Sequence, residues 1–416
     1  MTSTTIPLTS GSNFCPVLRN GIWHFPIHHM RGGTSTGIVI WERMAPKENR
    51  VREELLRHIM GVPAEGYAPG NRQTAGLGRG SPTSNKVFFA DVELIADARP
   101  RLISTLAQLA ADHGRIDWSV NCGNMSSALQ LWAVDMGFID ASPGAHAIDI
   151  RNTNTDKVMT SRMAVELDGR FAETQIPGVL GRFPAVDLVL RNPVGAKTGM
   201  LLPTGAASEN IDGYLVSCVD VAVPMVIARA SDFGKTAHEP LAELAGDLAF
   251  LGKAKEIWVE AGQRMRLKRK DGVPMSRDEL ARSETIPKFC IVGEPRFGAD
   301  LSVRYFTPQS LHASLAVSGG CCLAAATLIP GSVAHDIAGK TATPGVDEVH
   351  VAIENPAGTL ETTVIVRRSE DGPTIAMAAY RRSAQVLLKG FVPLYNASAA
   401  LASALDRQCG SDRSDK

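Results

Sequence analysis

Two glycine-marked junctions, about 200 residues apart, constrain the fold of this chain more than any other feature. In the first, a strand-like run over residues 116–120 leads into Asn121-Cys122-Gly123-Asn124-Met125-Ser126-Ser127, the start of an apolar helix of small residues. The second, Ser318-Gly319-Gly320-Cys321-Cys322-Leu323-Ala324-Ala325-Ala326, repeats the order of strand, glycine turn and small-residue helix. Small residues let a curved sheet pack closely around a helix, so the repeat predicts a duplicated fold.

Strand-like segments dominate both halves of the chain, and short turns join most of them. Strands are predicted over residues 23–29, 37–41, 86–92, 147–151, 157–167 and 186–190, and then over 214–223, 225–229, 288–292, 301–306, 312–317, 349–353, 362–366 and 374–380. Because few crossover helices intervene, the sheets should be mostly antiparallel. We therefore expect an α+β fold of two similar lobes, each a curved sheet wrapped around a central helix.

Helical spacing and turn residues predict the remaining organisation. Helices are expected over residues 51–60, 101–113, 240–251, 253–270 and 381–389. The glycine- and proline-rich stretch 191–213 is the expected domain boundary. The predicted domains are a disordered tail (1–20), a first lobe (21–200 plus 375–395), a second lobe (201–374) and a C-terminal helix and tail (396–416).

Composition restricts the class of protein. The 43 basic and 43 acidic residues balance, which leaves no net charge to attract nucleic acid or a membrane. The seven cysteines are odd in number and scattered, as in a reducing compartment, and no pair has zinc-binding spacing. The N-terminus lacks the pattern of a signal peptide, and no apolar run reaches the ~18 residues of a membrane helix. We expect a cytoplasmic protein.

Four features carry chemistry. Arg31-Gly32-Gly33-Thr34-Ser35 offers a guanidinium, two hydroxyls and exposed backbone amides to a carboxylate, although a plain tight turn has the same composition. Lys86 opens an apolar strand, where burial would lower its pKa, unless its side chain extends into water. Cys122 lies at a helix N-terminus, which favours a thiolate, and a small buried packing residue is the alternative. His312 precedes the second junction, either as a ligand group or as a core histidine.

A base, an acid and several carboxylate binders suit one reaction class. Abstraction of a proton next to a carboxylate-activated carbon, and its return elsewhere, requires those groups and stabilisation of an enolate or dienolate. The positive ends of two helices at a shared cleft would hold a multiply charged anion. No phosphate-binding loop, dinucleotide fingerprint or serine nucleophile motif competes with this interpretation.

The motifs resemble those of one family. Met30-Arg31-Gly32-Gly33-Thr34-Ser35, the loop 76–86, Asn121-Cys122-Gly123-Asn124 and His312 followed by Ser318-Gly319-Gly320 and Ile329-Pro330-Gly331-Ser332-Val333 resemble the PrpF family of 2-methylaconitate isomerases. The resemblance covers residues 22–392. Related enzymes are 4-oxalomesaconate tautomerase, methylitaconate and aconitate isomerases and, more distantly, diaminopimelate epimerase.

The resemblance implies a diaminopimelate-epimerase-like fold with barrel-like lobes and the active site between them. It also implies proton transfer by Lys86 and Cys122, without a cofactor or a metal, on a small unsaturated di- or tricarboxylate. A homodimer stays open. The implied substrate-binding residues are Arg31, Gly33, Thr34, Ser35, Ser84, Asn85, Asn121, Gly123, Asn124, Met125, His312, Ser318, Gly319 and Gly320.

Departures from the family pattern leave other functions open. Thr36 replaces a usual lysine, Ala75 a frequent acidic residue, and Ser318-Gly319-Gly320 a usual Thr-Gly-Ala. A two-base amino-acid racemase would require a cysteine at each helix N-terminus, where the second junction has Ser318. A non-catalytic carboxylate-binding protein is the other alternative, against which the presence of both Lys86 and Cys122 argues.

Overall fold

The computed structural model describes residues 14–80, 84–94, 100–118, 121–269, 271–341, 348–369 and 372–411. The chain divides into two compact units. The first unit comprises Met1–Gln175, Val179–Leu188 and Arg382–Lys416, and the second comprises Ile176–Gly178 and Val189–Arg381.

The chain up to residue 191 contains ten strands and three α-helices among the residues described. The strands are β1 (Val17–Arg19), β2 (Ile22–Gly32), β3 (Ser35–Trp41), β4 (Lys86–Glu93), β5 (Arg101–Leu109), β6 (Ile116–Asp117), β7 (Gly144–Asn152), β8 (Lys157–Val165), β9 (Glu173–Thr174) and β10 (Phe183–Arg191). The helices are α1 (Asn49–Met60), α2 (Gly123–Ser126) and α3 (Leu129–Asp135), with a 3-10 turn at Glu42–Met44.

The remainder of the chain repeats this mixture. Its strands are β11 (Glu209–Ile211), β12 (Tyr214–Val221), β13 (Val223–Arg229), β14 (Lys288–Gly293), β15 (Leu301–Thr307), β16 (Ser310–Leu311), β17 (Glu348–Asn355), β18 (Gly358–Ser369) and β19 (Gly372–Leu394). Its helices are α4 (Leu241–Gly246), α5 (Leu248–Arg264), α6 (Arg277–Arg282), α7 (Val317–Ala326), α8 (Val333–Ala338) and α9 (Ala399–Ser411), with a 3-10 turn at Ala230–Phe233. The end of β19 and α9 belong to the first unit.

The two units share one strand topology, as the duplication predicted. In the first unit, the antiparallel hairpin β2–β3 is followed by β4, which is parallel to β3, and by β5, which is antiparallel to β4. In the second unit, β12–β13, β14 and β15 repeat these three pairings. A parallel pair and an antiparallel pair then follow in each unit, β5–β7–β8 and β15–β17–β18. The sheets are therefore mostly antiparallel, and two parallel pairs recur at matching positions of the two units.

A helix of small residues lies against the sheet of each unit. In the second unit, α7 contacts β12, β13, β17 and β18, and every residue of α7 except Ser318 is buried. In the first unit, α2 contacts β2 and β3, and α3 contacts β8. The opposite faces of the sheets are covered by α1 and α9 in the first unit and by α5 in the second. Each unit thus has a central helix and an outer helical layer.

Two predicted helices are strands. Residues 101–109 form β5, because Leu102, Ser104 and Leu106 alternate with less buried residues and because eight residue pairs join β5 to β4. Residues 381–389 lie within β19, whose register with β2 extends from Gly32 to Trp23. In both segments the pairing with a distant strand overrides the local helical spacing.

Smaller differences concern element ends. The strand predicted over residues 312–317 is absent, since β16 ends at Leu311 and α7 begins at Val317. In place of the predicted helices 240–251 and 253–270, the chain forms α4 and α5, with Asp247 between them. Asp247 is the N-cap of α5, and its side chain accepts a hydrogen bond from the Phe250 N–H at 3.0 Å. The tail predicted over residues 1–20 contains β1, which pairs with β2, while residues 1–13 and 412–416 lie outside the described ranges. Within those ranges no helix is long and apolar enough to span a membrane.

Candidate active site

Lys86 is the first residue of β4, and its side chain is only 7% exposed. Burial lowers the pKa of Lys86 below its ordinary value of 10.5, whereas the negative charge of the Cys122 thiolate acts in the opposite direction. Gly37 on the neighbouring strand β3 lets the two strands approach closely at Lys86. A Cβ at this position would lie 2.7 Å from the Lys86 carbonyl oxygen. The lysine and the cysteine predicted as a pair therefore lie close enough to interact electrostatically.

Cys122 is the N-cap of α2, with an extended backbone at φ −132° and ψ 100°. Its thiol is free and its side chain is partly exposed. Asn121 Oδ1 accepts a hydrogen bond from the Cys122 N–H at 2.7 Å, and the Cys122 carbonyl accepts from the Ser126 N–H at 2.9 Å and the Ser126 hydroxyl at 3.0 Å. These bonds fix the backbone on both sides of the thiol. Asn121, predicted to bind substrate, here positions Cys122.

The β2–β3 hairpin lies directly against α2. A Cβ on Gly32 would approach the Asn124 carbonyl and would come within 2.9 Å of the Met125 Cα, so only glycine fits there. Gly33 has φ +53°, and its N–H donates to the Ser383 carbonyl at 2.9 Å. Asn124 Nδ2 donates to the Thr34 hydroxyl at 3.3 Å. Because that hydroxyl accepts from Asn124, its own hydrogen is available to a ligand.

One terminal nitrogen of the Arg31 guanidinium is hydrogen-bonded within the protein, and the other has no partner among the described residues. Its Nη1 donates to the Gly33 carbonyl at 2.9 Å and to the Ser383 carbonyl and hydroxyl, each at 3.1 Å. The guanidinium stacks on Phe183 at 4.6 Å, and burial lowers its pKa. The Nη2 is buried and makes no hydrogen bond to any residue in the described ranges. A buried donor in this state is costly unless a ligand accepts from it.

The loop that leads into Lys86 is held by buried amides. Gln73 Oε1 accepts from the Gly80 N–H at 2.7 Å, and Gln73 Nε2 donates to the Met60 carbonyl at 2.9 Å. Asn85 is fully buried, and its Oδ1 accepts from the Arg79 N–H at 3.1 Å. Asn85, predicted to bind substrate, therefore shapes the loop. Ser84 is half-buried, and residues 81–83 lie outside the described ranges.

The structure groups most of the residues predicted in the first unit. Gly33 and Thr34 contact Asn124, Met125 contacts Gly37, and Lys86 interacts with Cys122. Met125, predicted to bind substrate, is fully buried in α2 and packs toward Gly37. Ser35 is buried beside this cluster and pairs with Gly32, while Gly123 begins α2 directly after Cys122.

In the second unit, the two predicted glycines serve packing. A Cβ on Gly319 would lie 2.5 Å from the Tyr305 ring, and a Cβ on Gly320 would overlap the ring of Tyr380. Both glycines are buried inside α7 and are not part of a turn. Ser318 is half-exposed in the first turn of α7. These two glycines therefore make room for tyrosine side chains.

His312 lies on the segment that precedes α7. Its N–H donates to the Tyr305 carbonyl at 2.9 Å, and its Nδ1 accepts from the Ser314 N–H at 3.0 Å. Its ring packs edge-on against Tyr305 at 5.8 Å. Because Nδ1 is an acceptor, Nε2 carries the hydrogen of the neutral ring.

Several supporting residues escaped the sequence analysis. Ser383 and Gln385 bond Arg31 from β19, about 350 residues further along the chain, and Phe183 stacks on it from β10. The alternation of residues along β19 could have revealed Ser383 and Gln385, but the same residues also fit a helical period. Gln73 belongs to no sequence motif that would have identified it. Among the described residues, no group of three or more His, Cys, Asp or Glu side chains is placed to hold a metal.

Comparison with known proteins decides the family. The PrpF protein family matches residues 22–395. The chain belongs to the PrpF family. It is 32% identical over 375 residues to 4-oxalomesaconate tautomerase from Pseudomonas putida, a match that covers 89% of this chain and 96% of the relative. It is 27% identical over 397 residues to 2-methyl-aconitate isomerase from Shewanella oneidensis, with 88% and 95% covered.

A solved structure agrees with the fold. The crystal structure of methylitaconate-delta-isomerase superposes with a TM-score of 0.75 at 26% identity and covers 92% of this chain and 97% of that one. The predicted diaminopimelate-epimerase-like fold, with two lobes that each hold a sheet around a helix, is confirmed. The predicted PrpF resemblance and the isomerase class are confirmed as well, since these named relatives are isomerases that act on unsaturated carboxylic acids.

Proposed function

We propose that this PrpF protein is a cofactor-independent isomerase that moves or inverts a carbon–carbon double bond in a small unsaturated di- or tricarboxylic acid. The observation that carries the proposal is the pairing of Lys86, buried at the start of β4, with Cys122, partly exposed at the start of α2. The acids named for its relatives, oxalomesaconate and methylaconitate, belong to this substrate class.

The pair suits proton transfer in the state in which the two groups share one transferable proton, because it then contains one donor and one acceptor. A neutral amine beside a thiol and an ammonium beside a thiolate contain the same number of protons. In either state, one group removes a proton from the carbon next to the double bond and the other returns a proton to the far end of the three-carbon system. One C–H bond breaks, one forms, and the double bond moves through a dienolate. Burial of Lys86 favours the exchange by weakening its hold on the proton.

The charge that develops on the dienolate lies on a substrate carboxylate. We assign its stabilisation to the unpartnered Nη2 of Arg31, the Thr34 hydroxyl and the backbone N–H groups at the start of α2. Asn124 supports the Thr34 hydroxyl, and Gly32 and Gly33 bring the hairpin close enough for these donors to act together. His312 and Ser318 of the second unit remain predicted carboxylate binders.

The experiment is proton NMR in deuterated water with 4-oxalomesaconate, 2-methylaconitate, methylitaconate and cis-aconitate, each incubated with the wild-type protein. We expect one acid to isomerise, with deuterium at the carbon that gains a proton. The Cys122→Ala variant should abolish the reaction, while Cys15→Ala, which removes another partly exposed thiol of the first unit, should leave it intact. Isomerisation by Cys122→Ala at the wild-type rate would exclude the proposed mechanism.

The racemase alternative lacks its second cysteine. The N-cap of α7 is Ala316, and the neighbouring Cys321 and Cys322 are fully buried. Burial raises the pKa of Cys322 far above that of a reactive thiol. The second unit therefore supplies no thiol comparable to Cys122 among its described residues.

A further inference from the structure

A cavity at the end of α5 lies entirely within the second unit and contains none of the residues assigned to the active site. We call it the α5 cavity. Its volume is about 720 Å³, and its walls come from the loop before β11, the last turn of α5 and the segment that follows this helix. Among the described residues, one acidic residue and four basic residues line it, Glu209, Lys197, Arg264, Arg266 and Lys268. This excess of positive charge favours an anionic ligand.

Three of the four cations have no counter-ion in the part of the chain that the structure describes. Arg264 pairs with Glu209 at 2.8 Å, so these two charges compensate each other. The side chains of Lys197, Arg266 and Lys268 are exposed and form no ion pair or hydrogen bond with the described residues. Their positive charges therefore remain available to a ligand in the cavity.

The segment that leaves α5 presents two of these cations on one side. Met265 and Leu267 are each 2% exposed and pack in the outer core, whereas Arg266 and Lys268 alternate with them and are exposed. The Leu267 carbonyl accepts a hydrogen bond from the Met275 N–H at 2.8 Å, which holds the backbone in place. This alternation places both cationic side chains at the wall of the cavity.

Arg266 has a backbone conformation that favours glycine. Its φ is +51°, and it is the residue after Met265, the C-cap of α5, where helices commonly end with a glycine. A residue with a Cβ is strained in this conformation, and strain of this kind is found most often at functional sites. The fold alone would therefore favour glycine at the position where the chain places a cationic side chain in the cavity.

A buried carboxylate positions Lys197. Asp220 of β12 is fully buried, and its Oδ2 accepts hydrogen bonds from the Lys197 N–H at 2.9 Å, the Thr198 N–H at 2.8 Å and the Thr198 hydroxyl at 2.9 Å. The Asp220 carbonyl also accepts from the Gly195 N–H at 2.7 Å. These bonds fix the loop that carries Lys197 to the sheet, which lowers the entropy cost of binding a ligand there.

Stabilisation of the helix end does not account for all of these charges. Cations stabilise the C-terminus of a helix only within about its last turn, and α5 ends at Arg264. Lys268 follows the end of the helix, and Lys197 lies on a separate loop. By contrast, Arg269, which does not line the cavity, has a carboxylate partner in Asp271 at 3.0 Å.

We propose that the α5 cavity binds a small polyanion, a molecule with two or more phosphate or carboxylate groups. Lys197 and Lys268 supply point charges, and the guanidinium of Arg266 supplies two parallel hydrogen bonds to one oxyanion group. Met200, which is 53% exposed and lines the same cavity, provides apolar contact for the carbon atoms of an organic anion. The proposal does not depend on the isomerase activity, because the second unit alone supplies this site.

Isothermal titration calorimetry at low ionic strength tests the site with two probes. Pyrophosphate represents phosphate compounds, and tricarballylate, a saturated tricarboxylate, represents polycarboxylates. We expect at least one probe to bind the wild type, and the one with the lower Kd identifies the class of ligand. In the Lys197→Met/Lys268→Met double variant this Kd should rise by about 10-fold or more, because two charged contacts are lost. Absence of binding by both probes at millimolar concentrations would overturn the proposal.

The Arg266→Gly variant separates a loss of binding from a loss of folding. Glycine adopts a φ of +51° without strain, so the Tm should not fall, while the Kd of the probe should rise by about 10-fold. Arg282→Met, which removes an exposed arginine elsewhere in the second unit, is the matched control and should leave the Kd unchanged. A wild-type Kd in Arg266→Gly would contradict the site.

The active site is the competing location for the same anions. Arg31→Lys should leave binding in the α5 cavity unchanged, and for a probe that binds at both places each set of variants should remove one of two sites. Binding that is lost in Arg31→Lys and unchanged in the double variant would overturn the α5 proposal and support the isomerase proposal. If only the cavity variants weaken binding and no acid is isomerised, the α5 site stands and the isomerase proposal fails.

Discussion

The starts of the central helices differ between the two units, although the strands around them follow the same order. In the first unit, α2 has four residues and begins after Cys122, a partly exposed thiol beside Lys86. In the second unit, α7 has ten residues, and the space beside its first turn is filled by the rings of Tyr305 and Tyr380. Glycines permit close packing in both units. In the first unit they let the β2–β3 hairpin approach the N-terminus of α2, and in the second they let tyrosine rings approach α7.

This difference shows that a duplicated fold fixes where a helix begins, while the residues around that point decide whether chemistry can occur. Gly32 and Gly33 let the hairpin lie directly against α2, where Asn124 donates to the Thr34 hydroxyl. Tyr380 instead donates its hydroxyl to the Leu315 carbonyl at 3.1 Å and closes the packing before α7. We therefore expect the catalytic groups to lie in the first unit.

The largest expected effect is on kcat. A substitution of Lys86 in the first unit should lower it strongly, whereas a substitution in the central helix of the second unit should not. Lys86→Met should lower kcat by about 10²- to 10⁴-fold, because general acid–base catalysis contributes that much. Lys86→Arg should not restore the rate, since a guanidinium does not release its proton near neutral pH. Cys322→Ala, a buried change in α7, should keep kcat within about twofold if the variant folds. Stopped-flow or NMR rates measure this, and a Lys86→Met rate within tenfold of the wild type would contradict the assignment.

The second effect tests the packing role of the α7 glycines. Gly320→Ala places a Cβ against the Tyr380 ring and should lower the free energy of unfolding by about 1–3 kcal/mol, the usual cost of overpacking. Gly252→Ala, in α5 with open space around it, is the matched control and should be neutral or stabilising by up to about 1 kcal/mol. Urea denaturation gives both values. Equal stabilities for the two variants would remove the packing explanation.

Substitutions at and around Arg31 should distinguish its structural hydrogen bonds from those that bind a ligand. Ser383→Ala removes one acceptor of Arg31 Nη1 and should lower the free energy of unfolding by about 0.5–1.5 kcal/mol without a large change in KM. Arg31→Lys loses the free Nη2 arm as well, so KM should rise by about 10-fold or more. Denaturation combined with steady-state kinetics resolves the two effects. If both variants changed only stability, Arg31 would have no role in binding.

The smallest effect concerns pH. Burial lowers the pKa of His28 in the folded protein despite its hydrogen bond with Asp135 at 2.9 Å. The unfolded chain therefore takes up the proton more readily below the ordinary value of 6.5, and the free energy of unfolding should fall as the pH drops below it. His28→Gln should flatten this slope, whereas His350→Gln, at an exposed position, should not. An unchanged slope in His28→Gln would show that other groups cause it.

The pairing of Lys86 with Cys122 is implied by the resemblance to the PrpF family, whereas local sequence was sufficient to predict the duplication and the strands and turn of the β2–β3 hairpin. Each depends on residues close together in the chain or on a repeated motif. The strands β5 and β19 were missed because their apolar residues also fit a helical period, and only pairing with β4 and β2 decides between the two. Likewise, Gly319 and Gly320 resembled ligand-binding turn residues because nothing nearby in the sequence indicates the tyrosine rings.

The coupling of Lys86 to Cys122 is the central claim, and the pKa of Lys86 tests it most directly. The Lys86 resonance in 13C-lysine-labelled protein can be assigned by its loss in Lys86→Met and then titrated in wild type and in Cys122→Ala. We expect a wild-type pKa below 10.5 and a lower value still in Cys122→Ala, because the thiolate that favours the charged lysine is removed. A pKa of 10.5, or one that does not change in Cys122→Ala, would contradict the pairing.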